Sequence, residues 1–576
     1  MYGVDPPLTG DPELDRLLIV RPDGPRASEL GPPLTPWIAG QADGGGGALI
    51  PCVDPATGEP FAQVATATAD DVDRAVDAAG LAAALWRKTP FADRRVHLHR
   101  LADVLRDEAW TIAHALALEL GRPAVETLAL EVLPALDHVR YVADHAHDAL
   151  AGEAVWPRRP MHAHKTAYYL FEPVGLVAIV TPFSAPFALP MAQTAAALAM
   201  GNAVLLRPSE HAVLAGLRVG ECVARAGFPD GVVNVLPTVR EDALFVVTHP
   251  RVDKIFVTGT LETGREILAR AGCVPRPVVL ALGGKHASVV ASDADLERAA
   301  RGVVWGALAA SGQHPAAIER VYVEEPVAHR FVDLVLARVD ELRTGNPREQ
   351  RVELGPLISD AHRRRVEAQV GEALARGAKL LRGGQVPAGP GFFYPPTVVL
   401  APPEDSALMR EVTLGPVIPI VVVDSLERAV LLANDRPSNP WASGWTRSPE
   451  TAARLLESLE ADVVTVNDVL YDFGEPAATR GFHGLAGMGE HGGITGLREM
   501  CRRRFVVHDP FEAQAPLHAH PYDREAERAA GALLARLHAR GPLARLRGLA
   551  GLAASARFRA RVPRRFFFLR SRSTRG

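Results

Sequence analysis

From residue 174 the sequence alternates short apolar runs with stretches of helical period, and that alternation limits the folds open to it. The runs are VGLVAIV from Val174, NAVLLRP from Asn202, VVNVLP from Val232 and KIFVTG from Lys254. Unbroken apolar strands with helices between them are the pattern of a parallel sheet covered on both faces. Such sheets offer a nucleotide site at the carboxyl ends of their strands. No GxGxxG follows any of the runs. The predicted fold class is α/β.

The flanks have other textures. Residues 1–45 are rich in Pro and Gly and lead into GGGG, which reads as an extension with little structure of its own. Residues 52–80 read as a strand pair with a turn at Pro55–Gly58. A helix follows, capped near Thr68, with Asp70 and Asp71 in its first turn. Residues 91–150 keep helical periodicity, with Leu98, Leu101, Val104 and Leu105 on one apolar face. Residues 155–172 break it with two strand-like runs.

With 576 residues, 48% of them hydrophobic, the chain has material for two or three domains. A net charge of -4 gives no reason to expect nucleic acid. Cys52, Cys222, Cys273 and Cys501 have neither metal nor disulfide spacing, so no metal is expected and a reducing compartment is implied. The N-terminus has no basic n-region or apolar h-region. No run approaches the ~20 apolar residues that span a bilayer. The expected location is cytoplasmic.

Ordered motifs along roughly residues 46–510 resemble the aldehyde dehydrogenase superfamily. TPFSAPFALP (181–190) is similar to the family's TPWNFPLALP, and GNAVLLRPSE (201–210) to GNTVVLKPSE. FPDGVVNVLP (228–237), FVTGTLETGREI (256–267), GFFYPPTVV (391–399), REVTLGPVIPIVVV (410–423) and ADVVTVND (461–468) follow in the family's order. Residues 280–323 resemble the core signature, with Gly283, Gly284, Lys285, Asp293, Asp295, Gly312, Gln313 and Arg320 in place. GFHGLAGMGEHGGITGLREM (481–500) resembles the family's glycine-rich motif without its lysine and serine.

The resemblance implies a parallel-sheet, Rossmann-type cofactor domain over 46–154 and 173–280, and a second α/β catalytic-type domain over 281–480. It also implies a small oligomerisation sheet from 155–172 and 497–510. RRRFVV (502–507) would be the strand that family dimers add to a neighbour's sheet. A homo-oligomer, dimer or tetramer, is expected.

In the family a cysteine thiolate adds to an aldehyde carbonyl. An asparagine amide and the cysteine's own N–H hold the oxyanion, hydride passes to nicotinamide, and a glutamate activates the water that hydrolyses the thioester. Here the nucleophile position is Pro315, the base position Ala281 and the asparagine position Ser184. Proline offers neither thiol nor backbone N–H. Losing one oxyanion donor costs ~10²–10³ in rate, and losing a general base ~10²–10⁴. His314 is the candidate substitute nucleophile or base; the alternative is that it and His286 are neighbours that fit the fold.

For NAD or NADP the resemblance assigns Arg207, in place of a lysine, and Glu210 to the adenine ribose. Thr258, Gly259, Thr260 and Gly264 fall at the turn that meets the pyrophosphate at a helix N-terminus. The carboxylate position for the nicotinamide ribose is Val412, the family's Phe is Leu414, and Phe183 replaces a Trp. The adenosine half of the site is the better preserved.

Residues 511–576 lie outside the resemblance. From Arg536 onward there are 12 arginines and no acid, with Leu533, Leu534, Leu537, Leu546 and Leu549 at helical spacing. One reading is an interfacial helix on anionic lipid at the inner membrane face, anchored by Phe566–Leu569. The other is a solvated basic tail or a helix packed on the body. Three functions follow: a family member that cannot run the dehydrogenation but retains NAD(P) or partner binding; an active oxidoreductase with a rebuilt site; or a structural subunit of an active homologue.

Overall fold

The computed structural model describes residues 32–157, 165–239, 243–349, 351–436, 438–509, 520 and 522–555. The chain divides into two compact units, Met1–Ala151 with Phe171–Arg502, and Gly152–Leu170 with Arg503–Gly576.

The first unit holds two large sheets. In one, Leu176–Val180 lies at the centre, parallel to Ala203–Arg207 and Lys254–Gly259. Val233–Val235 and Val278–Leu282 extend it, also in parallel. All residues of Leu176–Val180 and Ala203–Arg207 are buried, which is why these strands read as unbroken apolar runs. Both edges are antiparallel and come from distant parts of the chain: Trp37 pairs with Val235, and Gly487 with Ala281.

The first of those edges corrects the reading of residues 1–45 as having little structure. Leu34 bridges Val64, and Trp37–Ile38 and Gln41–Ala42 are strands of the sheet. The glycine run serves close approach rather than slack. A Cβ on Gly47 would stand 2.3 Å from the Thr66 hydroxyl.

Helices cover the sheet. Ala69–Trp86 starts at Thr68 in a capping box: Thr68 Oγ1 accepts from the Asp71 N–H at 3.2 Å, and Asp71 accepts from the Thr68 N–H at 2.8 Å. Phe91–Asp107, Ala109–Leu120 and Leu133–Leu150 follow, the last entered through a π-helical turn, Leu128–Val132. Leu98, Leu101 and Leu105 are fully buried in the main core, with Val104 packed at its margin.

The second sheet has seven strands, in the order Lys379–Arg382, Thr397–Leu400, Val417–Val423, Arg320–Glu324, Ala287–Val290, Trp441–Trp445, Val463–Val466. All pairs are parallel except at Lys379–Arg382.

A separate three-stranded sheet is ordered Cys501–His508, Thr166–Pro173, Glu153–Ala154. The first strand of the 155–172 region therefore falls at Glu153–Ala154, before the expected start. Residues 158–164 lie outside the described residues. In the second unit Tyr169 packs 5.2 Å from Phe505 and under the Arg503 guanidinium. Further on, Arg524–His538 and Pro542–Ala554 are two helices, broken at Gly541, whose φ is +97°. Phe566–Leu569 lie outside the described residues. Among the described residues no helix is long and apolar enough to cross a membrane.

The capping box yields a local test. Thr68→Ala should cost about 1 kcal/mol and speed amide exchange at Asp71 about fivefold, whereas Thr68→Ser should leave it near wild type. Equal exchange in both variants would show that the cap contributes nothing.

Candidate functional site

A cavity of about 850 Å³ opens at the carboxyl ends of the first sheet's parallel strands. Arg207 ends one strand, Thr258 and Gly259 end another, and Ala281 and Leu282 end a third; all five line it. Ser184, Glu210, Thr260, Pro315, Val412, Leu414, Trp441 and Phe482 line the same space.

The loop that presents Pro315 is strained and heavily bonded. Ala310 and Ser311 have φ of 55°, and Gly312 follows at 74°. Left-handed backbone at a non-glycine residue costs roughly 1–2 kcal/mol. Four hydrogen bonds hold it. Glu126 accepts from the Ala310 N–H at 2.8 Å, and the Ser311 hydroxyl donates to Gly355 O at 2.9 Å. Gln313 donates to Ala310 O at 3.2 Å and accepts from the Ile358 N–H at 2.9 Å.

Around it lie buried ion pairs. Lys285 meets Glu319 at 2.8 Å, and both are buried. Burial alone would raise the Glu319 carboxyl, but Lys285 and the Leu414 N–H outweigh it and hold the group below its usual range. Glu319 also accepts from the Thr413 N–H at 3.0 Å. Arg122 joins Glu131 at 3.2 Å and donates to Ser184 O at 3.1 Å. Glu131 in turn accepts the N–H groups of Phe187 and Ala188, at the start of the helix Ala188–Ala199.

His314 is the expected substitute nucleophile or base. It is buried but does not line the cavity; its ring stands edge-on to Phe473 at 4.6 Å. Its Nδ1 accepts from the Ala316 N–H. Burial, with Arg122, His286 and Arg480 nearby, pushes its pKa down to about 3. His286 likewise sits off the cavity wall, bonded to Ala317 O, at about 4. His138 and His491 do line the cavity, but burial and Arg480 hold them at about 4 and about 3. A general base works best with a pKa near the working pH, so these imidazoles are weak ones at neutrality. None of the four cysteines lines the cavity.

The family model described as "Aldehyde dehydrogenase family" matches residues 41–506. The chain belongs to the aldehyde dehydrogenase family. An aldehyde dehydrogenase of Paenarthrobacter nicotinovorans is 32% identical over 457 residues, covering 79% of this chain and 99% of that protein. Lactaldehyde dehydrogenase from Escherichia coli superposes with a TM-score of 0.79 at 29% identity, over 83% of this chain and 99% of that one. A 3,6-anhydro-L-galactose dehydrogenase solved in complex with NAP gives 0.78 at 27%, over 83% and 100%.

The positions that the sequence resemblance assigns to the family's reacting groups gather in one place. Pro315, Ala281, Ser184 and Val412 all face the cavity. Apolar groups close around Ala281, which packs with Phe482, Ala486 and Trp441. The neighbouring strand requires its glycine, because a Cβ on Gly487 would stand 2.0 Å from Leu280 O.

The cofactor assignments divide. Glu210, Thr258, Gly259 and Thr260 line the cavity, and Thr260 caps the helix Leu261–Ala271 by accepting from the Thr263 N–H. Arg207 lines it too, but its fork bonds Thr238, Nε to Oγ1 at 3.1 Å and Nη2 to the carbonyl at 3.0 Å. Gly264 stands apart from these residues. It is absent from the wall, and a Cβ there would stand 2.8 Å from Leu282, so it serves helix-on-strand packing.

Sequence reasoning missed the supporting carboxylates Glu126, Glu131 and Glu319. The first two were visible as isolated acids in an apolar helical stretch, where charge is rare unless bonded.

Glu126 sets a pH dependence. Burial lifts its pKa from 4.5 to about 7, partly offset by the Ala310 N–H and Arg122. The folded state thus holds a proton that the unfolded chain releases near 4.5. The stability this gives is fully present below pH 4.5 and is lost as pH rises through 7, by a few kcal/mol at about 1.4 per unit. Glu126→Gln, which stays neutral, should gain on wild type in thermal unfolding between pH 5 and pH 8. A pH-independent difference would show that Glu126 keeps its ordinary pKa.

Proposed function

We propose that this aldehyde dehydrogenase-family protein binds the adenosine diphosphate half of NAD or NADP and does not oxidise aldehydes through a thioester. The observation that carries this is the shared cavity wall. Pro315, Ala281 and Ser184, which the sequence resemblance sets where the family's chemistry needs thiol, base and amide, line it together, and no cysteine does. The names of its relatives describe ordinary dehydrogenases; the proposed difference rests on these positions.

The residues present fit a nucleotide in part. Thr258–Thr260 and the N-terminus of Leu261–Ala271 suit a pyrophosphate, and Glu210 would accept from ribose hydroxyls. Val412 and Leu414 give a nicotinamide ribose no carboxylate. When bound, NAD(P) would supply a hydride acceptor; this chain's contribution is to hold its phosphates and exclude water.

Titration calorimetry should therefore find ADP and NAD+ binding within about threefold of each other, because the nicotinamide half adds little contact. NAD+ at least tenfold tighter than ADP would show a working nicotinamide pocket. With a panel of aldehydes, NAD(P)H absorbance should stay at background. Turnover that survives Pro315→Ala but vanishes in His314→Ala would establish a rebuilt site and overturn the proposal.

The strand Cys501–His508 favours a second reading, as a subunit. It is the outer strand of its sheet, with Phe505 52% and Val507 50% exposed. Such an edge is a template for pairing with a second copy, as dimer or tetramer, or with an active homologue. Phe505→Glu with Val507→Glu should lower the mass seen by light scattering; an unchanged mass would exclude this edge.

A further inference from the structure

The helical pair near the C-terminus carries an apolar surface that the cavity does not explain. Arg524–His538 and Pro542–Ala554 pack through Ala529 and Leu552, with Ala532 and Leu533 beside them. At about 100° per residue, Gly548 and Leu552 mark the buried side of the second helix. Leu543, Leu546 and Leu549, with Ala550 and Ala553, fill a continuous arc of about 120° on the other side. The three leucines are 74%, 60% and 46% exposed. Arg547 borders the arc on one flank and Arg545 on the other. Arg536, Arg545, Leu546 and Leu549 share one shallow groove.

We infer that this face docks on an anionic lipid surface, with the three leucines entering the acyl boundary and the flanking arginines at the phosphates. Charge decides between occupants. The chain has 63 basic and 67 acidic residues, and the 12 arginines after Ala535 stand with no acid among them. Residues 1–535 are therefore left with 51 basic against 67 acidic, a net of -16. An anionic membrane repels that body, so attraction must come from the arginine segment. A second copy of the face would set arginines against arginines with no carboxylate between them. Nucleic acid would satisfy the arginines and leave the leucine arc in water. Only a surface with both anionic groups and an apolar layer meets both features. The inference is independent of what the cavity holds.

The test uses the full chain and vesicles of phosphatidylcholine with about one third phosphatidylglycerol, against phosphatidylcholine alone. Sedimentation should show binding to the anionic vesicles only, falling at least tenfold when salt rises from about 0.1 to about 0.5 M. Leu543→Ser/Leu546→Ser/Leu549→Ser keeps every charge and should weaken binding roughly tenfold or more. Leu546→Trp should shift its emission to the blue on anionic vesicles. The leucines are exposed, so circular dichroism should be unchanged in the variants. Wild-type affinity in the triple serine variant would overturn the inference in favour of attraction by charge alone. Absence of vesicle binding would also overturn it. So would a mass that falls on serine substitution, which would make the face an interface between copies.

Discussion

A lysine ammonium held 2.8 Å from a glutamate carboxylate, away from water, fastens three segments that are distant in sequence. Lys285 brings the first half of the core signature, and Glu319 the start of the strand after its second half. Glu319 then takes the N–H groups of Thr413 and Leu414, while Lys285 donates to the Thr413 hydroxyl at 2.7 Å. Arg320 adds bonds to Lys285 O, Leu432 O and Ala433 O. Removing one partner of such a pair leaves an uncompensated buried charge, at roughly 3–5 kcal/mol. The motif residues of this family's fold thus do structural work that is separate from any chemistry at residue 315.

The same separation explains how a strained loop persists beside an unreactive side chain. The bonds from Glu126, Ser311 and Gln313 act on backbone groups of residues 310, 355 and 358, and none involves the side chain at 315. The loop is specified by its surroundings. What it presents to the cavity can change without the loop changing.

What could be read from the sequence was what is encoded locally. Strands buried on both faces announce themselves as apolar runs, and Thr68 with Asp71 spells a helix start. The motifs at 181–190, 201–210 and 256–267 carried the family. Pairings made over long separations could not be read. Trp37–Ile38 is two residues long in a Pro/Gly-rich stretch, and its partner lies nearly 200 positions away at Val235. The direction of a side chain was equally hidden. His314 adjoins Pro315 in sequence, yet it does not line the cavity and packs edge-on against Phe473, which does. Gly264 belongs to a cofactor motif, yet it meets Leu282. The break between the last two helices was signalled by Gly541 and Pro542, but the arginine and leucine pattern on either side of them suggested a single run.

Pro315 has a consequence at the level of the gene. No proline codon becomes a cysteine codon by one nucleotide change. The shortest routes pass through serine or arginine, and either intermediate would have to occupy the cavity wall. Serine restores the backbone N–H without a thiol, and arginine brings a bulky charge into a partly apolar space. A lineage with proline here therefore cannot gain a thiol at this position in a single step, whereas an alanine codon ending in a purine lies one change from glutamate.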